Sequence, residues 1–376
     1  MKTYDAIVIG LGGMGSAACA HLARRGARVL GLEQFTPAHD RGSSHGETRI
    51  IRRAYFEHPD YVPLLNEAYR LWDELADSSA RPLISRCGLL LVGAPDGEVI
   101  SGVQRAAREH RLAIEPLDAA ALRGRFGMIR AAPDMVGLHE ADAGFLRVEE
   151  CVRAHLALAA SRGAELRFGA PVREWRRLGD GSIEVTTEGG RIAAGALVVT
   201  AGPWTASRLT AWAGRLEVRR KVQLWFGCDD DRYSAVGGFP AFCAETSDGF
   251  FYGFPSIRPG EIKIAEHSGR QPVANADSLD RSVDAADIVR VARFVTEFMP
   301  GVSPRVQRHS VCMYTMSPDG HFVVDALADA PNIHVACGFS GHGFKFASVI
   351  GDELATRALG GAPRESMEFL RASRFA

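Results

Sequence analysis

The stretch "YDAIVIGLGGMGSAACAHLARRGARVLGLE", residues 4–33, decides the fold. Tyr4 to Gly10 is a short apolar, β-branched run ending in glycine, the pattern of a buried parallel strand. From Gly13 to Arg25 apolar and small residues recur at helical spacing; Gly26 closes that helix, and "ARVLGLE" supplies a second strand ending at Glu33. The stretch is a βαβ unit. Between its first strand and its helix, Gly10, Gly12 and Gly15 stand in G-x-G-x-x-G spacing. Glycine at these places permits a tight turn, brings backbone close to a pyrophosphate and packs helix on strand, while the helix N-terminus meets the phosphate charge. Glu33 is placed to accept from ribose hydroxyls and disfavours a 2'-phosphate. The motif alone leaves FAD and NAD open.

The layout beyond Glu33 favours FAD. A nicotinamide dehydrogenase continues with further βαβ repeats, whereas this sheet resumes only after long insertions. "RGSSHGETRIIR" (41–52) follows closely and is expected to form a loop plus short helix along an extended cofactor, with Arg49 and Arg52, three apart, facing one way; exposed helix charges are the alternative. "HPDYVPLLNEAYRLWDELAD" (58–77) carries Leu64, Leu65, Ala68, Leu71, Trp72 and Leu75 on one helical stripe. Residues 82–140 mix short strands such as "CGLLLVG" with an amphipathic segment and read as an insertion. "VEECVRAHLALAASRG" (148–163) is a helix, and the strands after it return to the first sheet near Ala201. "EVRRKVQLWFG", "GFFYGFPS" and "EIKIAEH" alternate like strands of a half-exposed antiparallel sheet, with "VDAADIVRVARFVTEFM" (283–299) as its covering helix. "NIHVACGFSGHGFKFASVIGDELATRAL" (332–359) closes with a strand, a glycine-rich turn and a helix. The expected fold is α/β in a two-domain α+β arrangement. Residues 1–80, 144–212 and 311–376 form a Rossmann-like FAD-binding domain, interleaved with an antiparallel-sheet substrate domain of residues 81–143 and 213–310.

At 376 residues the chain exceeds the ~250–300 at which single cores stop growing, which agrees with two domains. Net charge is −1 and no stretch interleaves basic and aromatic residues, so neither nucleic acid nor an anionic membrane is an expected partner. A small molecule is. The seven cysteines are scattered, odd in number and without metal-type spacing, so neither a disulfide framework nor a metal site is expected. No run reaches the ~18 apolar residues of a membrane span, and a reducing cytoplasm is the expected location. Of 44 basic residues only Lys2, Lys221, Lys263 and Lys345 are lysine. A chain that otherwise uses arginine keeps internal lysines where a compact ammonium is needed.

Strand alternation points the same way. Lys263, Ala265 and His267 share one face of "EIKIAEH"; Tyr252 and Phe254 share one of "FFYGFP"; Cys312 and Tyr314 share one of "CMYT". Three strands can thus direct Lys263, His267, Tyr252 and Tyr314 into one cavity.

With "GLGGMG", "HGETRIIR", "YGFP", "CMYT" and "GFSGHGFK" in that order, the chain resembles the sarcosine oxidase and N-methyltryptophan oxidase family of FAD-dependent secondary amine oxidases, from about Tyr4 to Leu359. The resemblance implies that Cys312 forms a thioether to the flavin, making FAD a covalent cofactor. It implies that Lys263 stands at the flavin face where oxygen reacts, with Arg49 beside the ring and His267, Tyr252 and Tyr314 shaping the site. Arg52 and Lys345 would clamp the substrate carboxylate. Gly10, Gly12, Met14, Gly15, Glu33, Arg41, Ser43, His45, Thr48, Arg49, Val172, Ala201, Met313, Gly341, Gly343 and Lys345 would line the cofactor. Sarcosine oxidases carry methionine where this chain has Cys243, so a larger pocket is expected, with Phe242, Phe254 and Trp225 as apolar walls. The implied activity is oxidation of an N-methyl or cyclic α-amino acid by hydride transfer to flavin, imine hydrolysis and reduction of O2 to H2O2, by a monomer. The alternatives are an amine dehydrogenase of the same fold using another acceptor, or a flavin-binding protein without turnover.

Overall fold

The computed structural model describes residues 3–209, 214–269 and 271–375. Its first sheet is built on Thr3–Ile9, a strand apolar on both faces and paired in parallel with Val29–Leu32 on one side and Gly190–Val199 on the other. Glu165–Arg167 extends the parallel run beyond Val29–Leu32, and Ala330–Cys337 extends it beyond Gly190–Val199. In chain order these five strands lie 3-2-1-4-5, a doubly wound arrangement that opens a crevice at the carboxyl ends of its central strands. Gly190–Val199 and Ala330–Cys337 return to this sheet after long insertions as largely apolar runs that a central position buries, whereas the short, half-buried Glu165–Arg167 takes its end.

Helix Gly13–Arg24 is buried along nearly its whole length between helices Val148–Ser161 and Ala347–Ala358. Its small residues make that possible. Helix Tyr61–Asp77 joins them with the expected stripe fully buried and with Tyr61, Val62 and Tyr69 added to it. Opposite these helices, the antiparallel strands Val172–Arg177 and Ile183–Thr187 flank the parallel core.

The second sheet has eight strands. Val306–Met316, Glu217–Cys228, Gly260–Glu266, Gly249–Gly253 and Ala241–Thr246 run antiparallel in that spatial order. Leu89–Gly93 then pairs in parallel with Ala241–Thr246, so the inserted residues complete this sheet and give it one parallel seam. Helix Ala285–Phe298 starts on a reciprocal cap, in which Asp284 and Asp287 each accept the other's backbone N–H, and covers one face. Ile262, Ile264, Phe251 and Phe242 point into that covered face. The other face looks toward the first sheet. Val306–Met316 is one continuous strand of the second sheet across the expected boundary at residue 311, and the expected boundary at 212 lies outside the described residues.

One expected element is different in kind. Thr48–Ile51 is a strand, paired antiparallel with Gly144–Arg147, where a short helix was expected. Three of its four residues are β-branched and lose rotamer freedom in a helix while packing well on a pleated surface.

Candidate active site

An elongated cavity runs from the crevice of the first sheet to the open face of the second, with about 1880 Å³ of empty space including its mouth. At its first end a Cβ on Gly10, whose φ is +84°, would come within 2.6 Å of the Thr200 carbonyl oxygen, and a Cβ on Gly15 would drive into the Gly10 carbonyl. Only glycine lets strand and helix approach this closely. Ser44 Oγ accepts the Gly13 N–H at 3.1 Å. Glu33 accepts from the backbone N–H of Leu11 (2.8 Å) and of Phe35 (3.1 Å) and faces His39. Burial pushes the Glu33 carboxyl up, but His39 and the two N–H groups hold it below the usual range, so it stays an acceptor. An ionised carboxylate offers about four lone-pair directions, and these contacts leave room for ribose hydroxyls.

At the other end, the register of the second sheet sets the chemistry. Directly opposed residues share a face, and Ser310, Gln223, Ala265, Tyr252 and Cys243 form one cross-strand row. Cys312 lies opposite Lys221, and Lys263 opposite Trp225. Lys263, Tyr252, Cys243, Cys312 and Tyr314 therefore project from the same face, and His267 follows immediately after its strand. His267 Nδ1 is 3.2 Å from the Tyr314 hydroxyl, which is also hydrogen-bonded to Tyr252. Burial, reinforced by Lys221 and His342, brings His267 down to about 3, and burial pushes Tyr252 up to about 12. The chain of three side chains is uncharged at neutral pH.

Cations gather beside it. Arg52 is buried, stacked on Tyr55 and Phe56, and donates to both carboxylate oxygens of Glu57 at 2.8 and 2.6 Å. Burial pushes the Glu57 carboxyl up, but Arg52, His342 and Lys345 together bring it down to about 2. Lys345 donates to the His342 carbonyl at 2.7 Å, and burial with Arg52 nearby brings it down to about 7. It lies in the turn Phe344–Phe346, one turn before helix Ala347–Ala358. Lys263 is buried and donates to the carbonyls of Gly46 (2.5 Å) and Thr48 (3.2 Å) and to the Thr48 hydroxyl (3.2 Å). Arg49 is held by the Thr48 and Ser43 carbonyls. His45 sits between the Gly42 carbonyl and Ser310 Oγ, and burial with Arg49 nearby brings it down to about 3. The Cys312 sulfur is buried within electrostatic reach of Lys221, Lys263 and Arg281.

Of the residues expected here, Gly10, Gly12, Met14, Glu33, Ser43, Arg49, Arg52, Val172, Ala201, Cys243, Tyr252, His267, Met313, Tyr314, Gly341, Gly343 and Lys345 line the cavity. Gly15, His45, Thr48, Lys263 and Cys312 do not form its wall, and Arg41 is exposed beside Asp40. Two expected apolar walls are elsewhere. Phe242 neighbours the inward Cys243 and so points to the helix-covered face against Phe294, while Trp225 lies under Lys263. Phe254 lines the cavity as expected. Sequence reasoning missed Glu57, Tyr55 and His342. The signal for Glu57 was a lone acid five residues after an arginine assigned to a carboxylate. Among the described residues no group of histidines, cysteines and carboxylates is arranged to hold a metal ion, and no helix is long and apolar enough to cross a membrane.

The family described as FAD dependent oxidoreductase matches residues 5–357. Monomeric sarcosine oxidase of Streptomyces avermitilis is 42% identical over 96% of this chain and 94% of its own. N-methyl-L-tryptophan oxidase of Salmonella heidelberg is 39% identical over 99% of each chain. Among solved structures, the open form of NikD, an unusual amino acid oxidase essential for nikkomycin biosynthesis, superposes with a TM-score of 0.86 at 25% identity, covering 99% of this chain and 98% of its own.

A Lys345 ammonium that grips a carboxylate would make its binding pH-dependent. Its proton is lost as pH rises through about 7 in the empty site. The affinity of a small carboxylate should therefore fall above that pH by up to about tenfold per unit. Calorimetric titration from pH 6 to 9 checks this: Lys345→Met should flatten the profile, and a flat wild-type profile would remove Lys345 from the carboxylate site.

Proposed function

The chain belongs to the FAD dependent oxidoreductase family, in company with monomeric sarcosine oxidases and N-methyl-L-tryptophan oxidases, and from that premise we propose that it oxidises a secondary α-amino acid larger than sarcosine, with dioxygen as final acceptor. The observation that carries the reading is the pairing of two buried cations, Arg52 and Lys345, with an uncharged Tyr252–Tyr314–His267 chain at the far end of a glycine-cradled cavity.

The residues present fit FAD. The Gly10–Gly15 turn and the helix behind it would accept a pyrophosphate, Glu33 the ribose, and Cys312, its buried sulfur within electrostatic reach of Lys221, Lys263 and Arg281, a thioether tether. When bound, FAD supplies the acceptor for a hydride from the carbon beside the substrate nitrogen and returns the electrons to dioxygen as hydrogen peroxide. The chain's own contribution is placement. The substrate carboxylate takes the Arg52 fork in competition with Glu57, while Lys345 adds a point charge. That fixes the orientation of the reacting carbon. Neutral His267 and its tyrosines accept the amine without protonating it, which keeps the nitrogen lone pair available to expel the hydride and form an imine. Water then hydrolyses the released imine. Lys263, pushed by burial and Arg49 well below the ordinary lysine range, sets its nitrogen beside the site of oxygen reduction, where a positive charge would stabilise superoxide in a dry environment.

Cys243 lies at the cavity wall between Tyr252 and Leu91 in register. A smaller side chain than methionine there leaves space for a bulkier substrate. Peroxide formation across a panel of N-methyl and cyclic amino acids tests this: a preferred substrate with several more carbons than sarcosine should exceed it by about tenfold or more in kcat/KM. Sarcosine ranking first would contradict the enlarged pocket, and no peroxide from any would contradict the oxidase. Cys312→Ser should leave flavin extractable by acid, whereas wild-type flavin should stay with the polypeptide; extractable wild-type flavin would rule out the tether.

A further inference from the structure

Lys263 owes its position to the backbone of residues 46–48. The carbonyls of Gly46 and Thr48 converge on its ammonium because the chain between them is left-handed, with φ of +88° at Gly46 and +71° at Glu47. Glycine adopts that conformation freely and glutamate does not. The strain is held by Glu47's own side chain. One carboxylate oxygen accepts from Trp225 Nε1 at 3.1 Å and from Arg308 at 2.8 Å, and the other pairs with Arg258 at 2.5 Å. Trp225 and Arg308 belong to the second sheet and stack on each other at 3.9 Å, and the Lys263 ammonium lies 5.3 Å from the Trp225 ring. From the other side the Glu149 carboxylate accepts the N–H groups of Gly46 and Glu47, and the Val148 N–H reaches the Glu47 carbonyl.

We propose that Glu47 is the positioning residue for Lys263: it locks a left-handed carbonyl cradle between the two sheets and so keeps a charged ammonium at the place where oxygen is reduced. The proposal rests on the function proposed above. Burial and the Arg49 guanidinium both work against a proton on Lys263, whereas Glu47, Glu149 and the Cys312 sulfur favour it; His45 also interacts with it electrostatically. Glu47 thus acts twice, through the cradle's geometry and through its charge. It touches neither the cavity nor the lysine directly, so its effect is distinct from that of a catalytic residue.

The chain's four lysines make the test direct. Protein carrying 13C at the lysine ε carbons gives one resolvable signal each, assigned by substitution, and its pH titration reports the charge on Lys263. Glu47→Gly removes the carboxylate while relieving the positive φ, so the thermal midpoint should be kept. Glu47→Asn, which tolerates the left-handed region, is the second variant. In both, the Lys263 signal should titrate about one unit or more lower, and reoxidation by dioxygen of photochemically reduced flavin should slow about tenfold or more. Anaerobic reduction by substrate should change less than about twofold in either variant, because the interaction lost acts on oxygen and not on the amine. A Lys263 titration and a reoxidation rate both matching wild type would overturn the proposal, whatever happens to the midpoint. Because light reduces the flavin without substrate, failure of every amino acid to reduce it would strike the proposed function alone.

Discussion

An ammonium taken out of water must be given back its hydrogen bonds, and the architecture of this protein follows from where it meets that demand. Three described lysines are buried, and each ends on main-chain carbonyls: Lys263 on Gly46 and Thr48, Lys221 on His267, Ser268 and Gly269, and Lys345 on His342. A carbonyl can satisfy a buried charge without adding a second charge that must itself be desolvated. The cost is that backbone must be delivered at fixed points. Lys263 recruits it from residues more than two hundred positions away and so pins the loop of residues 46–48 to the second sheet. Lys221, opposite Cys312, fastens the turn that carries His267.

Much of this was legible from residue type and spacing. The βαβ unit of residues 4–33, the stripe of helix Tyr61–Asp77 and the capped helix Ala285–Phe298 follow from period and punctuation alone. So did the convergence of His267, Tyr252 and Tyr314 on one cavity, because a period of two leaves little freedom once the strands exist; Lys263, expected with them, shares their face but stands behind the wall. The scarcity of lysine against arginine pointed to internal positions, and Lys221, Lys263 and Lys345 are all buried; Lys2 lies outside the described residues.

What was not legible depended on tertiary pairing. Thr48–Ile51 became a strand because Gly144–Arg147 was available as partner, and no local pattern in "RGSSHGETRIIR" announces that. Phe242 was assigned to the pocket by hydrophobicity, although its neighbour Cys243 already occupied the inward parity. Glu57 carries no motif; its place is set by the loop that follows Arg52, and its role emerges only as the counter-ion filling a fork that a substrate carboxylate would take. The same holds for Glu47, whose importance lies in a backbone angle.

Buried cations and neutral hydrogen-bonding groups are thus kept apart: on the proposed function Arg52 and Lys345 face the substrate acid in the cavity, Lys263 stands behind its wall on the oxygen side, and uncharged groups meet the amine. The direct measurement is rapid mixing of the purified flavoprotein with an N-methyl α-amino acid without oxygen, followed by oxygenated buffer. The visible flavin band should bleach, then return within the turnover time with one peroxide formed per flavin. A band that no secondary amino acid bleaches, or one that stays bleached in oxygen, would contradict the proposed function.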